Sequence, residues 1–207
     1  MTGQDGGTMR ERFSASDIAR VAVFAAVVAA LGLPGSFTVL GSVPITAQTL
    51  GVMLAGVILG PRLGALSMLV LLVLVAVGLP LLAGGRGGIA VFAGPSGGFA
   101  LGWIAGAAVA GAISRVGARK LSTLRIFAGA VIGGIGAIYA VGIPFEAAVT
   151  HLPLAKTALT SLVFVPGDLA KAVVVTIVAR SLMRAYPRAF RSEPAPVRRR
   201  EQPTPAR

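Results

Sequence analysis

The sequence contains no cysteine and one histidine in 207 residues. Disulfides and thiolate chemistry are therefore excluded, and a metal centre would lack its usual sulfur and nitrogen donors. Charge is also scarce. Asp, Glu, Lys and Arg make up 13% of the chain, against about 25% in a soluble domain. A phosphate-binding loop of the form Gly-x-x-x-x-Gly-Lys-Ser/Thr is missing, and no polar stretch is long enough to form the soluble domain that would carry one. Any ATP-driven work would have to be borrowed from another subunit. No cofactor and no metal are expected.

What fills the chain instead is apolar. Hydrophobic residues account for 55%, and mean hydropathy is +0.85. The 28 glycines run through the apolar stretches as well as the loops, which suits close helix packing in lipid. Six stretches have the length and composition of membrane spans: 18–33, 45–60, 63–79, 97–113, 126–143 and 167–183. Most sit at the short end of the about 17–25 residues needed to cross hydrocarbon, and the second is the weakest. Proline and glycine mark the boundaries at Pro34-Gly35, Gly60-Pro61, Pro80, Pro95, Pro144 and Pro166-Gly167. The expected fold is an all-α integral membrane protein of six transmembrane helices. The N-terminus lacks the pattern of a cleaved signal peptide.

The 19 basic residues give a net charge of +12, and their placement sets the topology. Arg10, Arg12 and Arg20, then Arg62, then Arg115, Arg119, Lys120 and Arg125, then Arg184, Arg188, Arg191 and the run 198–200 fall on one side of a six-span layout. The other side receives only Arg86 and Lys156, with Lys171 just inside the last span. The positive-inside rule makes the first side cytoplasmic and places both termini there. The chain then divides into a cytoplasmic N-terminal tail (1–16), a six-helix membrane domain (17–186) and a basic tail (187–207) whose Pro, Ala and Arg content predicts disorder.

Three segments face the exoplasmic side. The first, 34–49, contains Pro44-Ile45-Thr46-Ala47-Gln48-Thr49. The second, 80–98, contains Ala83-Gly84-Gly85-Arg86-Gly87-Gly88 and Gly94-Pro95-Ser96-Gly97-Gly98. The third, 144–166, carries Glu146, His151 and Lys156, with a short interfacial helix expected at 154–163. Directly after it, Pro166-Gly167-Asp168-Leu169-Ala170-Lys171 places a carboxylate and an ammonium where apolar residues otherwise dominate. Charges at membrane depth are costly, so such residues are functional-site candidates. Their spacing of three puts them on one helical face. These loops are expected to cap a pocket floored by Asp168 and Lys171, with a mobile glycine-rich lid that Arg86 anchors.

The stretches Pro44-Ile-Thr-Ala-Gln-Thr-Leu-Gly-Val, Leu79-Pro-Leu-Leu-Ala-Gly-Gly-Arg-Gly-Gly, Gly94-Pro-Ser-Gly-Gly-Phe and Val165-Pro-Gly-Asp-Leu-Ala-Lys-Ala resemble, in the same order, the BioY family. These are biotin-specific substrate-binding (S) components of energy-coupling factor importers. The likeness covers about 17–186. It departs at Ser96 and Phe99, where the family pattern carries Thr and Tyr, and Phe99 offers no ring hydroxyl. The resemblance implies a bacterial cell-membrane protein that binds biotin near the exoplasmic face and works with a transmembrane coupling subunit and a pair of ATPases. Biotin chemistry then suggests roles. Lys171 or Arg86 would meet the valerate carboxylate. Asp168, Gln48 and Thr49 would meet the ureido ring. Trp103 and Tyr139 are candidate apolar walls, although aromatics at span ends also form interfacial belts. In the first span Ala22, Ala26 and Ala30 recur at four-residue spacing, which lets another helix approach closely. In the family such a face docks the coupling subunit. Small residues at 56 and 60, 102 and 106, and 129 and 133 are expected to make internal contacts.

One rival belongs to another class. Gly94-Pro95-Ser96-Gly97 fits the Gly-x-Ser-Gly pattern of rhomboid intramembrane proteases. A serine nucleophile needs a base, and His151 sits in a loop after the fifth span. A channel or facilitator is a third reading, which would not require the Asp–Lys pair.

Overall fold

Ser14 opens the first helix with a reciprocal cap. Its hydroxyl accepts from the Asp17 backbone N–H at 3.2 Å, and the Asp17 carboxylate accepts from the Ser14 backbone N–H at 3.1 Å. In this computed structural model, residues 13–35, 43, 45–115 and 122–186 are described. Most of both tails, the 198–200 run and Pro44 lie outside them.

Helix α1 is Ala15–Ala30, α2 is Gln48–Leu59 and α3 is Pro61–Ala76. α2 spans only 12 residues, about 18 Å at 1.5 Å per residue. Gly60 alone separates it from α3. The Gly60 φ of 89° lies where side chains are strained, and Pro61 supplies a φ preset for the next helix. Arg115 closes this corner by donating to the Ile58 carbonyl at 2.5 Å, one of the unpaired acceptors at the end of α2.

α4 (Gly97–Arg115) is the central helix and packs on α2, α3 and the helix after it. Glycine permits this. A Cβ at Gly56 would stand 2.4 Å from the Ala107 carbonyl oxygen, and one at Gly133 would stand 2.5 Å from the Gly106 carbonyl oxygen. The small residues at these positions are internal contacts, as their spacing predicts. Val52, Met68, Leu71, Val75 and Ala107 form the fully buried heart of the larger core cluster.

The fifth expected span ends at 143, before Pro144. The structure corrects this. Helical backbone continues from Thr123 to Thr150 as α5 (Thr123–Val131), a π-helical turn (Ile132–Ala137) and α6 (Ile138–Thr150), with Pro144 inside α6. A proline in a helix removes one backbone hydrogen bond, and packed membrane helices tolerate that loss. The expected loop at 144–166 is therefore mostly helix. His151 ends α6 in left-handed backbone with φ 55°. α7 (Leu154–Ser161) follows, then a 3-10 turn at Leu162–Phe164 and α8 (Val165–Ala185). Pro166 lies in the first turn of α8 and not before it.

Three helical stretches, Gly97–Arg115, Thr123–Thr150 and Leu154–Ala185, are long and apolar enough to cross a membrane. With α1 and the shorter apolar helices α2 and α3, they make six helical segments among the described residues, in the order the sequence predicts. Val73, Leu101, Ile132, Val173 and Ile177 are exposed on the outer surface, as lipid-facing side chains are.

Candidate ligand-binding site

The first two turns of α8 carry Asp168 and Lys171 on one face. Lys171 Nζ donates to Asp168 Oδ1 at 2.7 Å, and the two side chains are 16% and 5% exposed respectively. Thr49, from the first turn of α2, completes a triangle. Its hydroxyl accepts from Lys171 Nζ at 2.8 Å and donates to Asp168 Oδ1 at 3.3 Å. Tyr139, at the start of α6, donates its hydroxyl to Asp168 Oδ2 at 2.7 Å. Its ring stands edge-on to Phe99 with centroids 5.9 Å apart. The sequence places Tyr139 among apolar walls; the structure makes it a polar member of the network.

Counting donors and acceptors shows what remains available. Lys171 keeps one N–H. Asp168 keeps a lone pair on Oδ2. The Tyr139 oxygen can still accept. The carboxylate and ammonium neutralise each other, and each has further partners, so the pair is tolerable in a largely dry site.

Gln48 is 1% exposed, and its amide is committed to backbone. Nε2 donates to the Val28 carbonyl at 3.2 Å and the Leu81 carbonyl at 3.0 Å, and Oε1 accepts from the Ala83 N–H at 3.0 Å. Val28 O belongs to the last turn of α1, where carbonyls lack helical partners. Gln48 thus ties α1 and α2 to the glycine-rich loop, and it borders the cavity with one lone pair to offer.

That loop positions Arg86. Leu82 and Arg86 exchange backbone hydrogen bonds at 3.0 and 3.2 Å, which closes a tight turn through Gly84 and Gly85, both at positive φ. Arg86 Nε donates to the Ala83 carbonyl at 3.2 Å, and Nη1 donates to Ser96 Oγ at 3.1 Å. The remaining guanidinium hydrogens are available to an anion. Ser96 is thereby an arginine partner. His151 is exposed and is not among the residues lining the cavity. Among the described residues, Ser96 and a histidine base are not brought together on this cavity.

These residues line one cavity of about 630 Å³, a figure that includes the open solvent at its mouth. All seven ligand candidates lie on it: Gln48, Thr49, Arg86, Trp103, Tyr139, Asp168 and Lys171. Thr46, Ser96, Phe99, Ile138 and Phe164 are further lining residues that the sequence reading left out. Ile138 and Tyr139 follow the π-helical turn directly, and such turns recur at functional sites. Ala22, Ala26 and Ala30 are exposed on α1, while Val21, Ala25 and Val28 face inward.

The sequence matches the BioY family over residues 9–188. A biotin transporter BioY of Rhizobium etli is 48% identical over 181 residues, covering 84% of this chain and 96% of that protein. A probable biotin transporter BioY of Bacillus subtilis is 47% identical over 171 residues, covering 82% of this chain and 91% of that one. A crystal structure of the S-component for biotin from an ECF-type ABC transporter matches the fold with a TM-score of 0.76 and 30% identity, covering 82% of this chain and 91% of that one.

Proposed function

The chain belongs to the BioY family, and on that premise we propose that it is the biotin-binding S component of an energy-coupling factor importer. It is a multi-pass membrane protein and not an enzyme. It captures biotin at the exoplasmic mouth of the cavity, and separate coupling and ATPase subunits drive uptake. The membrane domain in this reading spans 17–186.

The observation that carries the reading is the polar cluster of Thr49, Tyr139, Asp168 and Lys171 set into a mostly apolar cavity that Arg86 also lines. Biotin has matching parts. The ureido ring presents two N–H donors and one carbonyl. Asp168 Oδ2 and the Tyr139 oxygen accept the donors, and the free Lys171 hydrogen meets the carbonyl. The valerate carboxylate meets Arg86, whose planar fork suits a carboxylate. Trp103, Phe99, Ile138 and Phe164 supply apolar surface for the bicyclic ring and chain. The exposed alanines 22, 26 and 30 form the docking face for the coupling subunit.

The test is a titration of the purified chain with biotin, desthiobiotin and biotin amide, alongside mass analysis of ligand released on denaturation. Saturable biotin binding is expected. Desthiobiotin keeps the ureido ring and should bind; biotin amide should bind more weakly for want of a charge on Arg86. Absence of saturable binding, with biotin flux retained in vesicles, would replace this reading with a channel.

A further inference from the structure

A second concavity lies on the outer surface, between α5 and α8. It is a shallow groove lined by Thr123, Leu124, Phe127, Val173, Thr176 and Ile177. Its walls are lipid-facing: Leu124 is 74% exposed and Ile177 60%. Thr176 turns its hydroxyl back to the Ala172 carbonyl at 2.8 Å, so the floor offers no free donor there. At one end the character changes. The Arg180 guanidinium reaches across from α8 and donates to the Thr123 hydroxyl at the start of α5. Arg125 and Arg184 stand on the same two helices at this end.

Among the described residues, no acid forms an ion pair with Arg180 or Arg184. Asp168 is the only acidic residue on α8, and it lies roughly 18 Å along the helix axis from Arg180. The groove therefore combines a hydrocarbon-lined trough with a cationic end, at the end of the bundle that the positive-inside rule places at the cytoplasmic leaflet. That pairing is complementary to one kind of occupant, a molecule with an acyl chain and an anionic headgroup.

We propose that this α5–α8 groove binds an anionic phospholipid, its acyl chain along Leu124, Phe127, Val173 and Ile177 and its phosphate on Arg180. The inference rests on the membrane placement of the helices and not on the ligand of the main cavity. Arginine is suited to the phosphate because its fork makes paired charge-assisted hydrogen bonds.

The experiment uses the full chain, purified in neutral detergent, stripped of lipid and titrated with dioleoyl phosphatidylglycerol or dioleoyl phosphatidylcholine under native mass spectrometry. Wild type should retain phosphatidylglycerol about fivefold better than phosphatidylcholine, the preference expected of one arginine at a lipid surface. Arg180→Gln should abolish that preference. Val173→Trp, or Leu124→Trp if the first does not fold, should lose both lipids by filling the trough. Biotin affinity serves as the folding control, since none of these residues lines the main cavity. Equal retention of the two lipids by wild type, or an undiminished preference in Arg180→Gln, overturns the proposal. So does undiminished lipid retention in a folded tryptophan variant.

Discussion

Replacing Lys171 with alanine removes an ammonium that sits 2.7 Å from Asp168 Oδ1 and 2.8 Å from Thr49 Oγ1. Two separate losses follow. Breaking a buried ion pair costs about 3–5 kcal/mol when the remaining charge stays buried. Asp168 keeps Tyr139 and Thr49 as donors, and Lys171 keeps some exposure, so the lower end applies. This cost falls on the protein with or without ligand and belongs in a melting curve. Binding loses only the hydrogen bond from the free Lys171 hydrogen to biotin. A charged donor is worth about 1.5–3 kcal/mol, which is about a 10- to 150-fold rise in Kd.

Isothermal titration in detergent reads the second effect, and thermal unfolding of the empty protein reads the first. Asp168→Asn is the mirror experiment: it keeps shape and leaves Lys171 unpaired. If both variants bind biotin within about threefold of wild type, less than one ordinary hydrogen bond, the proposed site is wrong. Biotin amide adds a finer test. An equal Lys171→Ala deficit for biotin and its amide places Lys171 on the ureido carbonyl. A deficit confined to biotin places it on the carboxylate, and the assignment to Arg86 reverses.

Arg86→Lys keeps charge and loses the fork that reaches Ser96 and the Ala83 carbonyl; stopped-flow should show release about tenfold faster, for one charged hydrogen bond lost. Unchanged release with slower capture would mean that Arg86 steers ligand in, and the expectation that the glycine-rich loop is a lid would fall. Gln48→Leu strands the Val28 and Leu81 carbonyls and the Ala83 N–H, at about 1–3 kcal/mol for each group that stays buried. Its melting temperature should fall clearly, and an unchanged melt would remove Gln48 as a strut. Ala26→Trp should abolish motor-driven uptake in vesicles and leave biotin affinity in detergent nearly unchanged; equal loss of both would place Ala26 inside the fold.

Asp168 and Lys171 were legible because a charge in an apolar run has few structural reasons to be there, and a spacing of three fixes their common face. Thr49 and Arg86 were legible from the glycine- and proline-marked segments that hold them. The partnership of Tyr139 with Asp168 was not, because it depends on the backbone path through Ile132–Ala137. A π-helical turn changes the phase of every later side chain, and Gly133, Gly134 and Gly136 leave no side-chain pattern from which to read it. The backbone ties of Gln48 were not legible for a related reason. A buried amide satisfies whatever polar groups lie nearest, and here these are backbone groups of two distant segments. Pro144 misled in the opposite direction, since a proline that ends helices in water can remain inside one that is packed in a membrane bundle.

The charges around the cavity bear on selectivity. Among the described residues, Arg86, Asp168 and Lys171 are the charged side chains lining it, and two cations against one anion leave a single positive charge. In a mostly apolar enclosure that charge is worth more than in water. A monocarboxylate restores neutrality, whereas an amide or ester leaves the cation uncompensated and a dicarboxylate overshoots. The ring and the tail of biotin are therefore recognised by different means. In the proposed binding mode, Asp168 and Tyr139 read hydrogen-bond pattern at one end, and the cation excess reads net charge at the other. The same arithmetic explains why Asp168 and Lys171 can both persist without ligand. Their pairing leaves Arg86 as the excess charge, and Arg86 is held by Ser96 and the Ala83 carbonyl.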